Sequence, residues 1–262
     1  MKGDDGLKSQ TGSHEWIYVH INPNQDYVMS NGIELKEFYS ALSGHLHHLL
    51  LLKHQYENAS FNMHTHLEYV RADEIVDVIK DNVSSYGDFC WIDFDDEAGL
   101  DEMSGQEIAE LLYIGHMKSH LRVPFYKKLN NRFVYLSTED GLMNRTYYRE
   151  WGDFFTMLGG VIPSKWSTLR SGKGLRKWKK EKALPAIPKE VVMTISHLMR
   201  EGVMISLKNA VSAKGKVEVP VWVVGDWDNM DDLEEDFASR VKREPASWLV
   251  YDLKSKEWTG LL

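Results

Sequence analysis

Apolar residues along 33–56 (Leu35, Phe38, Tyr39, Leu42, Leu46, Leu49 and Tyr56) recur at helical spacing with no proline among them, a pattern that predicts a helix. The next stretch alternates instead. Phe61, Met63, Leu67 and Tyr69 fall on one side of a predicted strand, and Asn62, His64, His66 and Glu68 on the other. Earlier, "EWIYVHI" has the aromatic and β-branched content of a strand, and "NPNQDYVMSNG" reads as turns.

Further along, "RADEIVDVIKDN" predicts a short helix and "DFCWIDF" a buried strand running into the acidic loop "DDEAGLDE". Ser104 and Glu107 have the spacing of a capping box ahead of Ile108, Leu111 and Leu112, so a helix should start there and end before Pro124. "RFVYLST" and "LMNRTYYR" flank an Asp-Gly turn signal and predict a hairpin. "WGDFFTMLGGVIP" predicts a short helix stopped at Gly159 and Gly160, and the glycines and prolines of 164–188 mark a linker or long loop. A helix near 189–200, a strand "VEVPVWVV", an acidic helix start near Met230 and a hairpin "SWLVYDLKSKEWTGLL" complete the chain.

Helices and strands mix without a regular strand–helix–strand rhythm, and no repeat of fixed period is present. The expected class is α+β, an antiparallel-rich sheet with helices in two packed domains. The expected division is a flexible start over 1–14, an N-terminal α+β domain over 15–163, a basic linker over 164–188 and a smaller α+β domain over 189–262.

Composition narrows the picture. With 43% hydrophobic residues and nine tryptophans there is enough apolar surface to offset the ordering entropy of a folded chain. Unbroken apolar runs such as 49–52 stop at four residues, far short of the roughly 18 to 20 that a bilayer-spanning helix needs, so the protein is not expected to be an integral membrane protein. The first residues carry acids and glycines where a signal peptide needs a basic start and an apolar stretch, and Cys90 is the only cysteine. A cytoplasmic location is the expectation.

The formal net charge is −8, which disfavours wholesale binding of nucleic acid. That charge is unevenly distributed. Residues 170–182, "RSGKGLRKWKKEK", hold seven Lys or Arg against one Glu, with Trp178 among them. This segment suits an acidic protein partner, with Lys177, Lys179 and Lys180 the candidate contacts, and it is the one stretch through which nucleic acid could be engaged. Its "SGKG" departs from a phosphate loop, because Gly174 and Leu175 stand where Ser or Thr should follow the lysine.

Six of the eleven histidines lie within 44–66, which raises the question of a metal. On the predicted helix, His45 and His48 share one edge of the apolar stripe while His47 and His54 fall elsewhere, so these four cannot face one ion. The better pair is His64 and His66: alternate residues on a strand point the same way, and Glu68 continues that face. Two imidazoles and a carboxylate would suit a divalent metal, the candidate cofactor of a hydrolytic reading. His116 and His120 lie one helical turn apart, yet Met117 occupies the place of the general-base Glu in the His-Glu-x-x-His motif.

Two further apolar runs end in acids: Asp93, Asp95, Asp96 and Glu97 in one, and Asp226, Asp228, Asp231 and Asp232 in the other. Strand-end carboxylates can hold magnesium, although the second run fails as an EF-hand because Asp231 replaces its glycine. Cys90 sits in a run that should be buried, and no serine sits in a Gly-x-Ser-x-Gly elbow. With no catalytic motif assembled, the leading expectation is a soluble binding or regulatory protein acting through charged patches. The alternative is the metal-dependent hydrolase built on His64, His66 and Glu68.

Overall fold

Among the described residues all the ladder pairings are antiparallel, and they join thirteen strands into one sheet. The computed structural model describes residues 15–261 apart from 43, 54–55, 81–88, 115–120, 122, 139–142, 173–182 and 228–229. In chain order, β1 (Trp16–Asn22) and β2 (Tyr27–Asn31) lead to α1 (Leu35–Ala41), and β3 (His48–Lys53), β4 (Ser60–Asn62) and β5 (Leu67–Val70) to α2 (Ile75–Lys80). After β6 (Cys90–Phe94) come α3 (Glu97–Asp101) and α4 (Gly105–Ile114), then β7 (Phe133–Thr138), β8 (Met143–Tyr148) and α5 (Trp151–Gly172). The last part holds α6 (Lys189–Met193), α7 (Ser196–Met199), β9 (Val203–Ser206), β10 (Val211–Ala213), β11 (Lys216–Val223), α8 (Met230–Arg240), β12 (Ser247–Asp252) and β13 (Glu257–Leu261). The class is α+β.

Across the sheet the strands run β13-β12-β11-β9-β1-β2-β8-β7-β6-β3-β5-β4, with β10 beside β11. Pairing of β1 with β9 carries the sheet from the first half of the chain into the last. Helices cover both faces. One face packs Ile17, Leu49, Trp91, Phe133 and Val219 against Phe38 of α1, Val78 of α2 and Phe154, Leu158 and Ile162 of α5. The other packs Leu50, Ile92 and Val134 under Leu100 of α3 and Leu111 of α4, and Tyr18 and Met204 under Leu233 of α8.

Two-sided burial explains the first departure from the periodicity. Of the helix expected over 33–56, only Leu35–Ala41 is helical, and the leucines of 49–52 lie in β3. Gly44 turns the chain with φ +92°, and the four consecutive leucines then serve both faces, Leu49 and Leu51 on one and Leu50 and Leu52 on the other. An unbroken apolar run is what a strand covered on both sides requires. A second departure is at 61–69, where the expected single strand is the β4–β5 hairpin with 63–66 as its turn.

The third departure concerns α5, which neither stops at Gly159 nor gives way to a linker at 164. It runs 22 residues through Pro163 to Gly172. Proline has no N–H to donate to the carbonyl four residues back, that of Gly159, and the Ile187 N–H bonds that oxygen instead at 2.9 Å. The same glycine makes room for the returning chain, since a Cβ there would lie 2.3 Å from the Ile187 carbonyl oxygen. What reads as punctuation in the sequence is a seam between helix and returning segment.

Other expectations match the structure closely. The capping box at α4 forms, with Glu107 Oε2 accepting the Ser104 N–H at 2.7 Å and Ser104 Oγ accepting the Glu107 N–H at 3.3 Å. Pro220 sits within β11, yet on one side that strand pairs β10 through 216–218 and β9 through 221–223, leaving Pro220 between the two ladders. No helix among the described residues is long and apolar enough to cross a membrane.

Gly159→Ala should cost about 2–4 kcal/mol in urea unfolding, because backbone must move to admit the methyl group. Gly152→Ala in the first turn of α5, where the nearest neighbour of the new Cβ is the Lys189 ammonium at 4.0 Å, should be neutral or stabilising by about 0.5 kcal/mol. Equal effects at the two positions would contradict the seam.

Candidate functional site

The densest group of chemistry-bearing side chains lies where β6 ends, beside the start of β3, the start of β7 and the first turn of α5. Ladder pairing of β6 with β7 runs only as far as Ile92 and Val134. Beyond it Asp93, fully buried, uses its side chain in place of the ladder: Oδ1 accepts the Arg132 N–H at 2.9 Å and the Phe133 N–H at 2.6 Å. Burial pushes its carboxyl up to about 7 against the opposing pull of those two donors.

Arg132 continues the group outward. Its Nη2 donates to Oδ1 and Oδ2 of Asp153 at 2.8 and 2.7 Å, and Asp153 stands in the first turn of α5, where the helix dipole favours an anion. His45 Nδ1 is 3.9 Å from Asp153 Oδ1, too far for a hydrogen bond. Asp95 accepts from Asn130 Nδ2, Asn130 Oδ1 accepts from Arg149 Nη1 at 2.8 Å, and His47 Nε2 stands 3.8 Å from Asp95.

The remaining groups of this end are also engaged. His48 Nδ1 accepts the Ala72 N–H at 3.2 Å, which fixes the tautomer of the neutral ring, and the ring lies 5.0 Å from that of Phe94. Asp96 caps α3 by accepting the Ala98 N–H at 3.0 Å. Glu97 is held below the usual carboxylate range by the Tyr69 hydroxyl, with Arg71 adding to the effect. Every strand-end acid here has a donor from its own chain.

His64, His66 and Glu68 are not assembled into a centre. Residues 63–66 form a turn in which Asn62 Oδ1 accepts the N–H groups of His64 and Thr65 at 3.1 and 2.8 Å, and the His66 N–H returns to the Asn62 carbonyl at 2.9 Å. His66 therefore takes a left-handed conformation, φ +57°. The β12–β13 turn repeats this design: Asp252 Oδ1 accepts from Lys254 and Ser255, and Lys256 has φ +62°. His64 Nε2 lies 2.7 Å from the Met103 carbonyl, which makes it a donor, and Glu68 accepts the Tyr56 N–H at 3.3 Å. Among the described residues, no three His, Cys, Asp or Glu side chains are grouped so that they could hold a metal ion.

Elsewhere, Asp226 lies 2.7 Å from Nδ1 of the buried His20, and the neighbouring Tyr18 hydroxyl donates to the Gly225 carbonyl at 3.1 Å and accepts the Trp227 N–H at 2.9 Å. Asp228, His54, His116 and His120 lie outside the described residues, as do Lys177, Lys179 and Lys180. Cys90 is buried, as its surroundings predict. Arg170, in the last turn of α5, places its guanidinium 4.9 Å from the Trp166 ring centre, beside a cleft of about 280 Å³ that Lys208 and Ser212 also line.

Sequence reasoning passed over Arg132, Asp153, His20 and Lys165. A usable signal existed for two of them. His20 interrupts the apolar run of β1, and Lys165 falls among Val161, Ile162, Trp166 and Leu169 at helical spacing, so each is a lone polar group on a face that must be buried. Comparison of the chain with protein-family models, with curated proteins and with solved structures gives no match.

Two measurements test this geometry. Because the folded Asp93 holds its proton to about pH 7 while an unfolded Asp releases it near 3.8, the stability of the wild type relative to Asp93→Asn should fall as pH rises from about 4 through 7, by a few kcal/mol in all, and then level off. A difference that stays flat across that window refutes the buried acid. His66→Gly should raise stability by roughly 0.5–1 kcal/mol by relieving the left-handed backbone, whereas a metal ligand would be lost on the same change.

Proposed function

We propose that the protein is a non-catalytic binding or regulatory protein of the cytoplasm that engages an acidic protein partner through the basic segment 170–182. The observation that carries this reading is charge segregation: thirteen consecutive residues hold a net charge of +6 in a chain whose net charge is −8. Such a patch steers an oppositely charged partner and fixes its orientation. At the described start of the segment Arg170 lies against Trp166, beside a cleft that Lys208, itself paired with Glu15 at 2.6 Å, also lines.

The acids at the end of β6 do not favour the competing hydrolase, because each is occupied by a donor of its own chain. His64 and Glu68 bond backbone groups, and His66 closes a turn.

A fluorescent oligoglutamate peptide should bind the wild-type protein with an affinity that falls steeply between low and physiological salt. Binding should drop at least tenfold in the triple charge reversal of Lys177, Lys179 and Lys180 to Glu. No binding at low salt, or binding indifferent to the reversal, overturns the proposal. A single-stranded oligonucleotide that binds more tightly than the peptide would replace it with the nucleic-acid reading.

A further inference from the structure

A groove of about 420 Å³ lies between α1 and α5 and has a buried lysine in its lining. Lys165 is 4% exposed, and its Nζ donates to Glu37 Oε1 at 2.7 Å. Glu37 has its other oxygen committed: Oε2 accepts the Glu34 N–H at 2.7 Å as part of the cap of α1. An ammonium has three donors, and among the described residues Glu37 is the one hydrogen-bond partner of Lys165. A buried cation with two unmatched N–H groups is costly, so oxygen atoms must reach it from the groove.

Acceptors also line the walls. The hydroxyls of Ser40 and Thr168 spend their protons on the Lys36 and Ser164 carbonyls of their own helices, at 2.7 and 3.1 Å, so their lone pairs are what they turn to a neighbour. Leu169 and Ala186 supply apolar wall. Two acids, Glu34 and Glu37, balance two lysines, Lys36 and Lys165, so the lining has no net charge and does not suit a multivalent anion. The volume falls within the usual range of small-ligand sites.

We propose that the groove between α1 and α5 binds a small zwitterion of the α-amino-acid class. Its carboxylate meets the open donors of Lys165, its ammonium takes the lone pairs of the Ser40 and Thr168 hydroxyls, and its side chain rests on Leu169 and Ala186. This proposal does not rest on a partner of the basic segment, although Leu169 lines both this groove and the cleft beside Arg170.

The test is a thermal-shift and calorimetric titration of the full chain with each of the common amino acids, with acetate and with methylamine as the separate halves of the zwitterion. At least one amino acid should bind saturably and raise the melting temperature, while acetate and methylamine at the same concentration should not. The double variant Lys165→Met with Glu37→Gln removes both partners, so that neither charge is left buried alone, and it should bind at least tenfold more weakly. Leu169→Trp, which fills the groove with the ion pair intact, should lose binding with an unchanged circular dichroism spectrum. The proposal fails if no amino acid binds the wild type, if acetate alone binds as well, or if both variants retain wild-type affinity.

Discussion

Two-sided burial of the sheet is the constraint on which the rest of the structure depends. Every residue of β6 is buried, and β3 is buried from Leu49 to Leu52, because α1, α2 and α5 cover one face while α3, α4 and α8 cover the other. A strand placed between two apolar layers has no wet side, so an ionisable group buried there is costly unless a partner meets it. Aromatic rings reinforce the first layer: Phe38 of α1 meets Trp91, Phe133 and Tyr135 edge-on at 5.6 to 5.7 Å between ring centres.

That constraint governs the polar groups the fold admits. Asp93 lies on the apolar face of α1 and α5 and is tolerated because β7 begins there and leaves two N–H groups to be satisfied. Lys165 is tolerated because Glu37 stands opposite it across the α1–α5 seam, and His20 because Asp226 lies within ion-pairing reach. Removing Glu37 alone would leave Lys165 buried without its partner, which costs more than the pair itself contributes. Of the three, Lys165 lines the groove between α1 and α5.

The histidines show the same logic applied to sequence clustering. Those at 45, 47 and 48 precede or begin β3, and those at 64 and 66 lie in a hairpin turn, so two unrelated local structures hold the five described histidines of a cluster that looks chemical in sequence. The turn is dictated by Asn62, whose side chain closes it as Asp252 closes the turn before β13, and histidine is incidental to that geometry.

Class, most strands and the cap of α4 were legible because they rest on local rules: alternation in "RFVYLST", β-branched and aromatic content in "EWIYVHI", and the spacing of Ser104 and Glu107. The run 49–52 was not, since four leucines satisfy a buried helix and a doubly covered strand equally well, and the choice fell to β5 and β6, which flank β3 and take its backbone hydrogen bonds. Pro163 likewise reads as a helix stop until Ile187, 24 residues on, supplies the hydrogen bond that the helix cannot make for itself. The sequence by itself determined where the polar groups stand along the chain. Only the tertiary structure decided which of them meet a partner, because Asp93 with the backbone N–H of Arg132, Lys165 with Glu37 and His20 with Asp226 are joined across 39, 128 and 206 residues by contacts that no local spacing specifies.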